Sequence, residues 1–188
     1  MNPSLQLICF LLCTLSSAAF AQGSFDPKLA LVLKSSIQDM SEYSDRFDAE
    51  VWLKDMSERL KRYVKDPVQR IKILKLVHRE SKRQQLSPEI ILSLIEVESH
   101  FDQFAISVAG ARGLMQIMPF WLKELNSTDK NLFHLKTNIR MGCTILKYYV
   151  DMEKGNLNNA LARYNGSYGK NKYPDKVYKA LEKHWYPM

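Results

Sequence analysis

The stretch SPEIILSLIEVESHF, residues 87–101, decides how this chain is read. Ser87 offers a capping hydroxyl, Pro88 takes the first helical position, and Glu89 puts an acid in the first turn, where the helix dipole favours it. On a wheel at about 100° per residue, Ile90, Ile91, Leu94, Ile95, Val97 and Phe101 form one broad apolar arc. Ser93, Glu96, Ser99 and His100 gather opposite, with Leu92 among them. The wheel therefore predicts Glu96 at the surface and Glu98 inside the apolar arc. A carboxyl group in apolar surroundings loses hydration, which disfavours its charged form and raises its pKa. Such a group can act as a general acid near neutrality, and as a base once its proton has left. The purely structural alternative is a buried Glu paired with an Arg or Lys.

Outward from this helix the chain reads as helices throughout. Apolar residues at helical spacing from about Pro27 to Asp66 predict two helices with a break near Ser44-Asp45. Asp66-Pro67 starts another, to roughly Gln84, with Ile71, Leu74 and Val77 along one side. Thr137 to Lys154, Leu157 to Tyr164 and Pro174 to about His184 complete the set. A second Glu-Ser pair, Glu80-Ser81, lies at the flank of an apolar arc. A basic run, Lys82-Arg83, comes after it, whereas a long loop comes after Glu98.

The 188 residues suit one domain with a small extension. The first 21, MNPSLQLICFLLCTLSSAAFA, hold none of the 27 basic or 20 acidic residues. Their apolar run and the Ala19-Phe20-Ala21 ending read as a secretory signal peptide without the usual basic start, too short and too polar for a membrane span. Removing it leaves Cys143 alone, so stability must come from an apolar core rather than a disulfide. The net charge of +7 suits anionic polymers or surfaces in general and does not choose among them. His78, His100, His134 and His184 show no metal-ligand spacing with each other or with Cys143, so no metal and no cofactor is expected.

Residues 98–119 read ESHFDQFAISVAGARGLMQIMP. Gly110 and Gly113 permit tight turning, so the segment can fold back across the end of the Glu98 helix. Leu114, Met115, Ile117 and Met118 predict a return to helical packing, ending near Pro119. Gln116 is the one polar side chain among them, either a donor and acceptor for sugar groups or a core amide bonded to backbone. The tyrosines Tyr148-Tyr149, Tyr164, Tyr168 and Tyr173 form an aromatic cluster divided between sugar-stacking surface and core.

Glu98-Ser99, then Ser107 within SVAGARGLMQIMP, then ALARYNGS at 160–167, occur in order and at a spacing that resembles the soluble lytic transglycosylase family. These goose-lysozyme-like enzymes cleave peptidoglycan. The resemblance spans about residues 70–184 and includes the Tyr173-Pro174-Asp175-Lys176-Val177 run. Arg163 stands where that family often has a small residue, Gly166-Ser167 replaces its frequent Ala-Gly, and Ile145 replaces a common tyrosine. The resemblance implies an all-α, lysozyme-like domain over 67–188; it does not cover the small helical N-terminal extension over 22–66, whose role is unassigned, and the leader over 1–21 points to an exported, periplasmic protein. It implies Glu98 as the sole catalytic acid/base. Ser107, Met115 and Gln116 would line the cleft, and Tyr164 and Asn165 would face Glu98 and the substrate.

The implied partners are peptidoglycan glycan strands, with envelope secretion or pilus machinery as a further candidate, and no nucleic acid. The implied reaction breaks the bond from N-acetylmuramic acid to N-acetylglucosamine and closes a 1,6-anhydro ring. Two other readings stay open on the sequence: a wall-binding scaffold of an envelope assembly, and a lysozyme that adds water. Asp102, four residues after Glu98, would share its face if the helix continued. The expectation is that the helix has ended and that Asp102 turns the loop.

Overall fold

The computed structural model describes residues 46–186. The leader expected over 1–21 and the predicted break at Ser44-Asp45 lie outside the described residues. The described chain is helical: α1 (Arg46–Leu60), α2 (Pro67–Arg83), α3 (Pro88–Ser99), a single turn α4 (Trp121–Glu124), α5 (Leu135–Met152), α6 (Leu157–Tyr164) and α7 (Lys172–Ala180). A π-helical turn, Leu181–Trp185, continues α7. Among the described residues the only extended pairings are two isolated bridges, Ile106 with Arg112 and Arg112 with Ile117. None of these helices is long and apolar enough to cross a membrane.

The helix starts obey the local chemistry. Asp66 accepts hydrogen bonds from the Val68 and Gln69 amides at 3.3 and 3.2 Å, with Pro67 behind it. Ser87 accepts from the Ile90 amide at 3.2 Å. Asn156 does the same for Asn159 at 3.1 Å. Each cap satisfies amides that have no partner inside the helix.

Helix α3 is the axis of the domain. Every residue from Ile90 to Glu96 is buried, because α2, α7 and the π turn all pack against it. This corrects the wheel: Glu96 is 8% exposed, not a surface residue. A wheel assigns its polar side to water, but here that side meets another helix, and its polar groups find protein partners instead.

The described end of the extension belongs to the same core. Leu53, Met56 and Leu60 of α1 are fully buried in one apolar cluster with Ile71, Leu74, Leu94 and Trp185. Arg70 is buried below α1 and donates to the Val64 and Lys65 carbonyls at 3.0 and 2.8 Å and to Ser57 Oγ at 3.1 Å. It closes the chain between α1 and α2 without needing an acid.

Helix α3 ends without a glycine. His100 and Phe101 are both left-handed, with φ of 50° and 64°, a conformation that costs a non-glycine residue roughly 1–2 kcal/mol. The Phe101 ring is buried against Tyr63 and Trp185, at centroid distances of 5.3 and 5.4 Å. Burying an aromatic ring is worth up to about 3 kcal/mol, which offsets most of the strain in the pair. The chain is thereby thrown sideways. Asp102 is exposed and its Oδ1 accepts from the Phe104 amide at 2.8 Å, turning the loop as expected.

The predicted helical restart at 114–118 does not form. Gln116 has a φ of 50°, and Arg112 and Ile117 exchange backbone hydrogen bonds at 3.0 Å, which makes a tight hairpin-like turn. Asn138 of α5 pins this turn: its Oδ1 accepts from the Met115 amide at 2.8 Å, and its Nδ2 donates to the Arg112 and Leu132 carbonyls at 2.9 and 2.8 Å. A Cβ on Gly113 would sit 2.4 Å from that Nδ2, and one on Gly142 would sit 2.3 Å from Met115 Sδ. Only glycines allow the loop to lie this close to α5. Replacing Asn138 with Ala strands the buried Met115 amide and Leu132 carbonyl, while the Arg112 carbonyl keeps the Ile117 amide, so the expected loss is about 2–4 kcal/mol by denaturant unfolding. Asn165→Ala, at an exposed position, should stay within about 0.5 kcal/mol.

Candidate active site

The last turn of α3 brings Glu98 under the start of α7. The Tyr173 hydroxyl donates to Glu98 Oε1 at 2.6 Å. Burial pushes the Glu98 carboxyl up to about 7, and the Tyr173 hydrogen bond opposes part of that rise. The buried Tyr173 phenol is itself held well above its usual range, by burial first and then by the charge of Glu98. The tyrosine can therefore donate to the carboxylate without ever becoming an anion beside it.

The other acids near α3 are engaged elsewhere. Glu96 faces the opposite way: Trp185 Nε1 donates to its Oε2 at 2.6 Å, and His184 Nδ1 lies 2.8 Å from its Oε1. Burial, helped by Glu96, raises the nearby Tyr63 phenol to about 12. Glu80 of the other Glu-Ser pair is 1% exposed and held by Arg79 and Arg140 at 3.1 and 3.2 Å. It is a structural ion pair.

The structure sets the remaining sequence-derived residues around Glu98 in different ways. Tyr164 lies near enough for the charge of Glu98 to raise its phenol, after burial. Its hydroxyl, however, donates to the Met115 carbonyl at 2.8 Å, so Tyr164 braces the loop and Tyr173 touches the acid. Met115 is fully buried with its thioether against Gly142, so it forms the wall beneath the loop and offers no exposed side chain. Gln116 is half-buried, and its Nε2 donates to the Ala105 and Gly113 carbonyls at 3.2 and 3.0 Å, the core-amide role. Ser107 spends its hydroxyl accepting from the Ala111 amide at 3.0 Å. Asn165 is exposed at the end of α6. Ser99 donates to the Leu114 carbonyl at 2.8 Å, tying the Glu98 helix directly to the loop.

Tyr173 is the residue that sequence reasoning missed, since the sequence placed it in a general aromatic cluster and in the run Tyr173 to Val177 without a role at the acid. The available signal was its position on the inward stripe Tyr173, Val177, Ala180, at i, i+4 and i+7, together with its phenol. Cys143 is buried in α5, as expected for a small core residue. Among the described residues no group of three His, Cys, Asp or Glu could hold a metal ion.

A lone desolvated carboxyl, a tyrosine donor and a glycine-turned loop make a site that can be set beside known proteins. The transglycosylase SLT domain family matches residues 75–186, and the chain belongs to that family. Its all-α class is the one the sequence led us to expect. The chain is similar to the membrane-bound lytic murein transglycosylase F of Desulfosudis oleivorans, with 35% identity over 100 residues, covering 50% of this chain and 22% of that protein. It is also similar to the transglycosylase of Enterobacteria phage PRD1, with 32% identity over 108 residues, covering 54% of this chain and 40% of that one. A solved structure of the lytic transglycosylase Slt of Pseudomonas aeruginosa, an inactive mutant, aligns with a TM-score of 0.48 and 20% identity, over 81% of this chain and 33% of that one. The chain thus spans well under half the length of each of these proteins.

The raised Glu98 pKa has a consequence for stability. From an unperturbed 4.5 it rises to about 7 on folding, so between those values the folded state holds the extra proton. The stability tied to the protonated carboxyl is full below about pH 4.5 and is lost as pH rises through about 7. Glu98→Gln keeps a neutral group at all pH. It should therefore match the wild type near pH 4 and exceed it near pH 8, by roughly 1–3 kcal/mol after allowing for solvent screening. Thermal unfolding at both pH values reads this; a difference that does not change with pH contradicts a half-buried, proton-holding Glu98.

Proposed function

We propose that the chain is a lytic transglycosylase acting on peptidoglycan, with Glu98 as its single acid/base. The observation that carries this reading is the desolvated Glu98 carboxyl, held up to about 7 with Tyr173 as its hydrogen-bond donor, while Asp102 turns away into the loop. Glu98 gives its proton to the oxygen joining N-acetylmuramic acid to N-acetylglucosamine, and the C1–O bond breaks. The Glu98 carboxylate then takes the proton of the muramic 6-hydroxyl, whose oxygen bonds to C1 and closes the 1,6-anhydro ring. Glu98 ends as it began. Water takes no part, so the second carboxylate that glycosidases use to activate water or trap the sugar has no task.

Tyr173 positions the acid and, by donating to its carboxylate, offsets part of its raised pKa. Ser107, Gln116, Tyr164 and Asn165 border the glycan, with Met115 as the floor under the turn. Family membership and the murein transglycosylases named among the relatives support the substrate. The work proposed is wall remodelling, or local wall opening for an envelope apparatus, by an exported protein.

Digestion of purified peptidoglycan and mass spectrometry of the products test the reaction. Anhydro-muropeptides are the expected products; reducing-end products would make the protein a hydrolytic lysozyme, and intact strands a binding protein. Glu98→Gln should lower turnover by about 10²–10⁴-fold, the usual contribution of a general acid, while Asp102→Asn stays within about twofold. Comparable losses from both would end the single-acid reading. Tyr173→Phe removes the bond that holds the Glu98 pKa down, so the loss of activity at high pH should move to still higher pH as turnover falls.

A further inference from the structure

The loop tied to Glu98 passes straight into the single turn α4, where the Met118 carbonyl accepts from the Trp121 amide at 3.1 Å. A run of aromatic side chains begins there. Phe120 is 55% exposed, and its ring meets that of Trp121 at a centroid distance of 5.3 Å. Trp121 in turn meets Tyr149 of α5 edge-on at 6.5 Å, and Tyr149 meets Tyr148 at 5.4 Å. Tyr148 is also 55% exposed. Trp121 and Tyr149 are half-buried and pack on the apolar core. The rings thus form one band from α4 across to α5, anchored at its middle and open at both outer members. Single exposed apolar residues are ordinary, whereas a contiguous group of them marks a binding surface.

Several contacts place the band beside the acid. Ser99, next to Glu98, donates to the Leu114 carbonyl, and Tyr164 donates to the Met115 carbonyl. Met115 packs its thioether on Gly142, and Tyr149 stands two turns further along the same face of α5, about 10 Å away along the axis. Tyr164 lies near both ends of this path: after burial, Glu98 and Tyr149 each help to raise its phenol. The cations adjoining the band are spent, Lys147 on Asp151 and Arg163 on Glu153. Such a surface suits an uncharged, amphipathic occupant, and a sugar ring is one. Its C–H face stacks on an aromatic ring while its hydroxyls meet the Tyr148 and Tyr149 phenols. We propose that this band stacks sugar rings of the strand held at Glu98, beyond the bond that is cut, so that the protein prefers long strands to short ones. The inference rests on the reading of the chain as a peptidoglycan-cleaving protein. Binding energy gained far from the reacting bond is spent at that bond, so short strands lose turnover as well as affinity.

Binding in a Glu98→Gln background, which holds strands uncut, separates this inference from the reaction. The probes are glycan strands stripped of their stems by an amidase and sorted into tetrasaccharides and long strands, together with vesicles of anionic lipid. Phe120→Ala/Tyr148→Ala should weaken binding to long strands about tenfold and leave tetrasaccharide binding within about twofold. Phe120→Tyr/Tyr148→Phe keeps both rings and should keep long-strand binding. Val51→Ala/Tyr186→Ala, which trims exposed residues on and beside α1, should change neither. All of these positions are exposed, so thermal unfolding should stay close to the parent. Equal losses on both lengths, no loss on long strands, or a ring-keeping pair as weak as the alanine pair would overturn the inference. So would a loss confined to the vesicles, which would make the band a membrane-facing surface. Absence of anhydro products from the active protein would count against the Glu98 mechanism alone, since length preference is read from binding.

Discussion

A carboxyl group that keeps its proton near neutrality tolerates neither a close cation nor full hydration, since either restores the charged form. Most of what surrounds Glu98 is consistent with that constraint. Its hydrogen-bond partner is a phenol that burial keeps neutral. The cations of the domain are engaged or placed elsewhere: Arg70 on carbonyls between α1 and α2, Arg140 on Glu80, Arg163 on Glu153, and the α7 lysines along the α3 seam. Arg163 adjoins Tyr164 in sequence, yet its guanidinium also lies over the Tyr168 ring at 3.8 Å, which keeps it in place.

The loop serves the same constraint by packing rather than by charge. Asn138 uses three hydrogen bonds to hold Met115, Arg112 and Leu132, and Tyr164 adds a fourth on the Met115 carbonyl. Ser99 then joins that turn to the helix bearing Glu98. Acid and loop are thus fixed to each other through side chains that each end on a backbone group of the loop. Side chains that look like substrate contacts in sequence, Ser107 and Gln116, are partly spent on this bracing. A Ser-to-Ala change there would disturb the wall of the cleft as well as any contact with sugar.

The starts of α2 and α3 were legible because capping is local: Asp66 and Ser87 announce themselves within four residues of the amides they satisfy, whereas α5 and α7, which have no side-chain cap, start two residues before the sequence predicted. The anomaly of Glu98 was legible for a similar reason, from the apolar residues one turn either side of it. Glu96 was misread because its partners, His184 and Trp185, lie almost ninety positions away, and periodicity cannot tell a helix side that meets water from one that meets another helix. The contact of Tyr173 with Glu98 was missed on the same ground. Tyr164 and Tyr173 are both inward tyrosines near the C-terminal end, and only the crossing of α7 over α3 decides which hydroxyl reaches the acid. The 114–118 segment looked helical by its apolar content; a left-handed Gln116 and the Asn138 clamp, both long-range in origin, made it a turn.

The two acids of α3 finally account for how the C-terminal segment is held. Glu96 and Glu98 point about 200° apart around the helix, yet both are gripped by the same stretch of chain, one by His184 and Trp185 and the other by Tyr173. The segment from α7 through the π turn therefore embraces the last turn of α3 from both sides. Its buried stripe and Trp185, fully buried against Tyr63 and Phe101, supply the apolar grip. The polar bonds fix the rotation of α3 about its axis, which apolar contacts alone leave soft. Rotation is the variable that matters here, because turning α3 by even one residue would carry Glu98 away from Tyr173. On this view Glu96 is the acid that sets the angle and Glu98 the acid whose angle is set.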